Sequence, residues 1–521
     1  MKKNGQANFH LLSYLFNFFL PSSPGRQDNI WCEFNFFIDL LYNIKYNATF
    51  LERISVFNSK TKLHGLYYKM KESCYNFFIN YESDNILLGY NCVSGGLLVF
   101  PGKQYDLINK ILKDPERTED PVLKEKLIRG RFLIDDDLDE IQLLKFRNNM
   151  ARFNPNGLGM VITPTLLCNL DCPYCYVDRE RVAMSPATIT KMKLFFDKKV
   201  KHIGEAVACW SGGEPILAMD SVEELNNYFR KKSLEENITF SSSLITNGYL
   251  LTHEIVERLI QCGISVLQIT IDGHQEHHNR FRKTQGGQDT YEKIIKNVIY
   301  ASNKNFKIIL RTNIQKENYQ SIHQLIDELA DSDLKKDNVL YVPCNVMAVE
   351  TKRGYYCGNC FSNEEFSAIE PEILEYSVNK GFKLSKHLLS TTSTFCGANS
   401  LTLFVIDAYV NIMKCWCNLG RADKNMIGSI GENGEINFSN HKNILKWMSW
   451  DPFDIEECKK CKVLPSCMGG CMYYNVMGET DKIGVGCSHR KYNLEHMIKI
   501  YYEFCKKNGH AKLQDIGLFK N

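Results

Sequence analysis

Between residues 158 and 342 the chain repeats one pattern: a strand-length apolar run, a turn, an amphipathic helical stretch, and then another run. The runs fall at 158–163, 206–210, 238–245, 266–271, 307–312 and 339–342, and the helical stretches at 186–199, 222–234, 253–261, 291–302 and 319–330. Strands joined through helices lie parallel, because the helix carries the chain back to the end of the sheet where the next strand starts. Six such units point to a barrel or an open α/β sheet and fit a partial (β/α)6 TIM-like barrel better than a closed eight-fold one, so the expected class is α/β. Barrels of this type build their sites at the C-terminal ends of the strands. The residues immediately after each apolar run are therefore the ones to read for chemistry.

The flanks are different in kind. Residues 66–155 read as a small α+β module, with strand-like runs at 86–88 and 97–100 and helical patterns at 105–113, 121–130 and 136–149. Ahead of it, 1–65 are rich in Phe, Tyr and Asn and carry no interpretable motif. The apolar stretch 9–20 behind Lys2 and Lys3 is interrupted by Ser13 and Asn17 and is too short to span a bilayer. It runs into Pro21, Ser22, Ser23, Pro24 and Gly25 without a small-residue cleavage pattern, so it reads as a packed or partner-facing helix. Beyond the barrel region, 156–345, come a linker at 346–395, a cysteine-rich segment at 396–505 that ends in a helical pattern at 492–505, and a tail at 506–521. Of the 521 residues, 63 are basic and 60 acidic, a net charge of +3, which excludes a polybasic nucleic-acid surface or an acidic tail. A reducing, cytoplasmic location and no membrane partner are expected.

The 20 cysteines are too dilute for a disulfide scaffold and too clustered for chance. Cys168, Cys172 and Cys175 follow the first strand run with three and then two residues between them. Three thiolates at that spacing can wrap one cubane iron–sulfur cluster and leave one iron without a protein ligand. A structural zinc would want a fourth ligand nearby, and the next His and Cys are His202 and Cys209. Other strand ends carry short polar or glycine motifs: Ser211, Gly212, Gly213, Glu214 and Pro215 after the second, Thr246, Asn247 and Gly248 after the third, and Thr270, Ile271, Asp272 and Gly273 after the fourth, with Arg280 and Arg282 beyond. Paired glycines allow close backbone approach, while Asn-Gly and Asp-Gly alone are ordinary turns.

The Cys-x3-Cys-x2-Cys loop with aromatic Tyr174 before its last cysteine resembles the signature of radical S-adenosylmethionine (radical SAM) enzymes. The resemblance implies that the open iron chelates S-adenosyl-L-methionine, whose reductive cleavage gives a 5′-deoxyadenosyl radical that takes a hydrogen atom from substrate. It further implies cofactor contacts at Tyr174, Ser211, Gly212, Gly213, Glu214, Asn247, Thr270, Asp272 and Arg282. The glycine motif would hold the methionyl amino group, and Thr270 with Arg282 the carboxylate or ribose.

A second constellation comprises Cys396, Cys415, Cys458, Cys461, Cys467, Cys471 and Cys487, the first two separated by apolar runs at 401–406 and 409–413 that read as a hairpin. Spacing alone leaves zinc ribbons and iron–sulfur clusters both open. The pattern resembles the SPASM extension of radical SAM enzymes, with one departure: thirteen residues follow Cys396 and four precede Cys415, but Val410 stands where the family has glycine. The resemblance, which spans about 158–502, implies three 4Fe-4S clusters. Cys458, Cys461, Cys467 and Cys487 would hold an outer auxiliary cluster, and Cys396, Cys415 and Cys471 an inner one. Its fourth position is left open among Cys417, the pair Cys357 and Cys360 or another ligand, and an open iron. Cys32, Cys74, Cys92, Cys209, Cys262, Cys344 and Cys505 are expected to be ordinary buried thiols.

Within this group, sulfatase-maturating enzymes that make formylglycine place an acid directly after the cysteine equivalent to Cys415. Trp416 stands there, which weighs against that role. The remaining implication is maturation of a ribosomally made peptide by a thioether or other crosslink or by epimerisation. The module at 66–155 would serve as a leader-peptide binding domain or as a plain structural cap, and an electron donor such as flavodoxin or ferredoxin would supply the reductant. A non-catalytic zinc-binding interaction protein is the alternative of another class. Asp407, Tyr409, His274, His277 and His278 could each approach a barrel cavity, and the residues do not single one out as an acid or base.

Overall fold

A computed structural model describes residues 69–508, apart from 119, 335, 347–349, 352–353, 356–358, 386–387, 395, 420, 422–424 and 478–486. The extension at 1–65, its apolar stretch, Cys32, Cys357 and most of the tail lie outside the described residues.

The module starts with β1 (Met70–Glu72), then β2 (Asn76–Tyr81), β3 (Ile86–Asn91) and β4 (Gly96–Pro101), which form an antiparallel sheet in the order β2-β3-β4. Helices α1 (Tyr105–Lys113) and α2 (Pro121–Arg129) follow; β5 (Leu133–Asp135) pairs antiparallel with β1, and α3 (Glu140–Arg152) closes the module. Strand β2 escapes a pattern search because two asparagines break its apolar run. Helix α3 starts at Glu140 rather than 136, since the Asp139 carboxylate accepts the N–H groups of Ile141 and Gln142 and fixes the first turn there.

The barrel strands are β6 (Gly157–Ile162), β7 (Glu205–Trp210), β8 (Thr239–Thr246), β9 (Val266–Thr270), β10 (Lys307–Ile314) and β11 (Val339–Asn345), all parallel and adjacent in chain order. Between them run α4 (Pro186–Val200), α5 (Met219–Glu235), α6 (His253–Gln261), α7 (Gln275–Phe281), α8 (Tyr291–Ser302) and α9 (Ile322–Asp331). The starts are dictated locally: the Ser185 hydroxyl caps α4 with Pro186 in its first turn, and the Thr252 hydroxyl caps α6. Helix α7, seven mostly polar residues, carries no apolar period and is absent from the sequence pattern. One strand face (Leu158, Met160, Ile162, Ala208, Trp210, Leu267, Ile269) packs under the helices, and the other (Val161, Cys209, Ile245) turns to the opposite side of the sheet.

After β11 come the short pair β12 (Glu350–Thr351) and β13 (Gly354–Tyr355), then α10 (Asn363–Asn379), which a Ser362–Glu365 capping box opens. The expected hairpin is present as β14 (Leu403–Ile406) and β15 (Asn411–Met413), Val405 opposite Met413. It does not stand apart. β14 pairs parallel with β6, Val405 beside Val161, and β15, β16 (Gly428–Ile430) and β17 (Ile436–Phe438) extend the sheet to ten strands. The cysteine-rich region thus contributes four strands. It finishes with α11 (His441–Met448), α12 (Glu456–Lys459), α13 (Leu464–Cys467), α14 (Met472–Met477) and α15 (Arg490–Lys507). The module packs on this end: Tyr81 Oη donates to Glu503 at 2.7 Å and Tyr90 Oη to the Leu389 carbonyl at 2.5 Å. No helix among the described residues is long and apolar enough to cross a membrane.

Candidate functional site

The loop after β6 carries the first three cysteines, and the barrel fixes it from several sides. Thr165 Oγ1 donates to the Val182 carbonyl at 2.6 Å, Asp171 N to the Lys283 carbonyl at 2.8 Å, Gln285 Nε2 to the Cys168 carbonyl at 2.6 Å, and Arg179 Nη1 to the Leu170 carbonyl at 2.6 Å. Cys168, Cys172 and Cys175 are half-buried. Burial pushes the Cys168 and Cys172 thiols up to about 12, and the charges of neighbouring cysteines in the loop add to the push on each. Three thiols that bias one another within one half-buried loop suit an iron–sulfur core, whose metal charge would draw off their protons. A single zinc would gather sulfurs to about 2.3 Å from one point. Among the described residues no three His, Cys, Asp or Glu side chains converge in that way.

The second strand end is built for contact within the chain. A Cβ on Gly213 would lie 2.1 Å from the Leu167 carbonyl oxygen, and one on Gly212, at φ +125°, 2.3 Å from Thr163 Cγ2. The close approach that these glycines permit is therefore to the backbone that leads into the cysteine loop. Gly213 N donates to the Thr165 carbonyl at 3.1 Å and Glu214 N to the Leu167 carbonyl at 2.8 Å. Ser211 is buried, its N–H bonded to the Ile162 carbonyl. Glu214 is wholly buried; one carboxylate oxygen accepts from Thr246 Oγ1 at 2.8 Å and Ile216 N at 3.2 Å, the other from Asn247 N at 2.8 Å. Burial raises it to about 7, against the pull of those bonds.

Asn247 continues the chain of contacts, donating through Nδ2 to Asn169 Oδ1 at 2.9 Å. At the fourth strand end, Asp272 and Arg282 are both buried and pair at 3.4 Å; Tyr174 Oη donates to Asp272 and accepts from Arg282 Nη1 at 2.7 Å. Thr270 lies one strand from Arg311, its register partner on β10. The structure thus draws Tyr174, Asp272 and Arg282 into one network and Glu214, Asn247 and the glycines into another, both anchored on the cysteine loop. Buried polar atoms without a hydrogen-bond partner remain among these residues, Thr163 Oγ1, Asn169 Nδ2 and Arg282 Nε, and within β9, Gln268 Oε1. Unpaired buried polar atoms clustered around a three-thiol loop fit a site for a polar cofactor.

Arg311 and Asn313 were missed by motif reading. Both are half-buried on β10, and Arg311 Nε donates to Asn313 Oδ1 at 2.8 Å. Tyr176 was missed too: the charges of Cys175, Cys415, Cys417 and Arg311 all reach it, so it lies between the first loop and the hairpin cysteines. Only an inward-facing register could have flagged Arg311, and nothing local flags Tyr176.

The later cysteines sort into two packed groups. Cys396, Cys415, Cys417 and Cys471 share an apolar cluster with Ala398, Trp447, Met472, Tyr473 and Tyr474. Cys458, Cys461 and Cys467 belong to the core that joins α13 and α15 to the module, and Cys487 adds its charge to Cys458 and Cys467. Lys414, beside the first of these groups, is buried, with its Nζ donating to the carbonyls of Ser400 and Leu403.

Other expected residues have structural roles. Asp407 accepts from the N–H groups of Tyr409 and Asn411 and fixes the hairpin turn, in which Val410 adopts φ +59°, the conformation that glycine serves elsewhere in the family pattern. Tyr409 is exposed and reaches Glu180. His278 is buried between Asp272 N and Thr290, and burial pulls its pKa well down; His274 pairs with Glu328 at 3.3 Å. Cys92, Cys209, Cys262 and Cys505 are buried as expected, whereas Cys344 is half-buried and Cys74, at a turn beside Glu140, is exposed.

Residues 162–329 match the model of the radical SAM superfamily. Among characterised proteins, the chain is 26% identical over 193 residues to Fe-coproporphyrin III synthase of Methanosarcina barkeri (37% of this chain, 46% of that one). It is 32% identical over 157 residues to AdoMet-dependent heme synthase of the same organism (30% and 42%). To the sporulation killing factor maturation protein SkfB of Bacillus subtilis it is 25% identical over 232 residues (43% and 51%). The chain thus spans about half the length of these relatives. The solved structure of native anSMEcpe with bound AdoMet and Cp18Cys peptide superposes with a TM-score of 0.52 at 20% identity, covering 69% of this chain and 99% of that one, a likeness of fold.

Proposed function

We propose that this radical S-adenosylmethionine enzyme, whose domain of that type occupies residues 162–329, modifies a peptide and thereby matures a ribosomally made product, by a thioether or other crosslink or by epimerisation. The observation that carries the reading is the separation of the later cysteines into two packed groups beyond the barrel, the hairpin of one lying in the same sheet as the strand that bears the first loop. In this reading 396–505 is an auxiliary-cluster domain of SPASM type, and 66–155 captures the leader of the peptide.

Cys168, Cys172 and Cys175 would hold the first 4Fe-4S cluster, and the inner and outer groups would hold two more. The loaded site supplies one chemistry, reductive cleavage of S-adenosylmethionine to a 5′-deoxyadenosyl radical that removes a hydrogen atom from the peptide. The chain's own residues bind and exclude. Arg282, held by Asp272 and Tyr174, keeps Nε free toward a carboxylate or ribose, and the cysteine loop is fixed by Asn247 and Gln285 so that its thiols stay aimed. Arg311 and Asn313 line the barrel interior with groups suited to a peptide carbonyl or carboxylate. In the module, β2 and β4 are the two edges of a three-stranded sheet. β2 backs onto α15, which leaves β4, with Leu98 and Val99 half-buried, as the edge to which an extended leader would add.

The test is anaerobic reconstitution with iron and sulfide, reduction by flavodoxin or ferredoxin, and co-expression with candidate precursor peptides. About twelve irons per chain, 5′-deoxyadenosine production and a peptide mass change are expected. Four or fewer irons would remove the auxiliary clusters from the reading, and zinc without iron would favour an interaction protein. The two synthase relatives support a second reading, action on a tetrapyrrole, which a tetrapyrrole mass change with no peptide product would establish. Conversion of a sulfatase peptide to formylglycine would restore that alternative despite Trp416.

A further inference from the structure

We propose that Cys417 is the fourth thiolate of the inner auxiliary group, with Cys396, Cys415 and Cys471, so that the four-iron core there presents no open corner to substrate. The inference rests on the reading of this region as an auxiliary-cluster domain and deepens it, because it decides whether the inner cluster can be a substrate-binding Lewis acid or is confined to carrying electrons and bracing the fold.

Two observations carry it. The chain after Cys415 turns back at once: Trp416–Asn418 form a single 3-10 turn, closed by Asn418 N donating to the Cys415 carbonyl at 3.1 Å and Leu419 N to that of Trp416 at 3.0 Å. The turn brings the thiols of Cys415 and Cys417 into hydrogen-bond contact, with both residues buried, at 5% and 3% exposure. Second, all four cysteines belong to one apolar cluster, walled by Trp447, Met472 and Tyr473. A thiol enclosed in that wall beside three others is placed as a ligand rather than as a surface group.

The sequence rival is the pair in the linker. Of these, Cys360 sits on a segment held against the end of β10, where Lys316 N donates to the Asn359 carbonyl at 2.8 Å and Tyr319 packs on Phe361. On ligation the Cys417 thiol gives its proton to solvent, and no electron transfer is involved.

The experiment uses the full chain with Cys168, Cys172 and Cys175 replaced by alanine, so that the site with an intended open iron is gone. Reconstituted anaerobically, this background should hold about eight irons, and its reduced EPR spectrum should not move when cyanide, a ligand for open iron sites, is added. Adding C417A should either remove up to about four irons or keep them with EPR features that cyanide now shifts. C417S, which preserves size and offers oxygen instead of sulfur, should retain iron with a shifted reduction potential, and serves if the alanine variant does not fold. Cyanide sensitivity in the background, or iron content, spectrum and potential unchanged in every folded Cys417 variant, would overturn the inference. A background without iron would instead overturn the auxiliary-cluster reading on which it rests.

Discussion

Glu214 offers a measurement in which the sign and the size both follow from its surroundings. Its carboxyl is wholly buried and accepts three hydrogen bonds, yet burial outweighs them and lifts it from 4.5 to about 7. A group that binds its proton more tightly in the folded chain favours folding while protonated. The contribution is fully present below 4.5 and is lost as pH rises through 7. At about 1.4 kcal/mol for each tenfold change in proton affinity, the gap amounts to roughly 3 kcal/mol between pH 4.5 and pH 8. Glu214→Gln removes the titration. Its single carbonyl oxygen can still accept from Asn247 N, with its amide donating to the Thr246 hydroxyl, so that the bond left unmade is the longest one, from Ile216 N at 3.2 Å. That loss costs about 1 kcal/mol at every pH. Urea midpoints of wild type and variant, followed by circular dichroism under anaerobic conditions from pH 5 to 8, should therefore cross. The variant should be the weaker at pH 5 and the stronger at pH 8. Parallel pH profiles would show that Glu214 stays ionised throughout and that the burial argument is wrong.

Other substitutions report on neighbouring features. Gly213→Ala puts a Cβ against the Leu167 carbonyl, so the loop backbone must move; a loss of about 1–3 kcal/mol and failure to load the first cluster are expected, from denaturation and iron analysis. Val410→Gly relieves a left-handed β-branched residue, worth about 1–2 kcal/mol, but forfeits roughly 2 kcal/mol of burial and about 0.7 kcal/mol of chain entropy. The net is about 1 kcal/mol of lost stability, and a stabilised variant would show that strain dominates. Asp272→Asn leaves the buried Arg282 cation without its partner and should cost roughly 3–5 kcal/mol; an unchanged urea midpoint would mean that the pair is compensated elsewhere.

The parallel sheet and its helices were legible because each strand is a dense apolar run and each helix carries a strong period: the stretches 253–261 and 291–302 coincide with α6 and α8. What failed lacks that signal. β2 is interrupted by asparagine, α7 is short and polar, and α3 is set by an aspartate cap that three preceding acids disguise. At the site, the cysteines announce themselves by spacing. Arg311 is one ordinary residue in a strand, and its position emerges only once β10 is registered against β9. Tyr176 is invisible for the same reason, since its neighbours Cys415 and Cys417 arrive from more than two hundred residues away.

The strand-end motifs carry a further lesson about what polar residues at such positions do first. Both oxygens of Glu214 are spent on Ile216, Thr246 and Asn247; both oxygens of Asp272 are spent on Asn313, Tyr174 and Arg282; and the amide of Asn247 is spent on Asn169. Apart from those to Ile216 and Arg282, which stay within one strand end, these bonds tie one strand end to the next or to the cysteine loop, so the motifs fix where the thiols stand. Groups free to meet a ligand are what these ties leave over, Arg282 Nε, Gln268 Oε1 and Asn169 Nδ2 among them. A substitution in one of the tying residues should therefore disturb cluster loading as well as cofactor affinity, whereas a substitution confined to Gln268 should lower affinity and leave iron content intact.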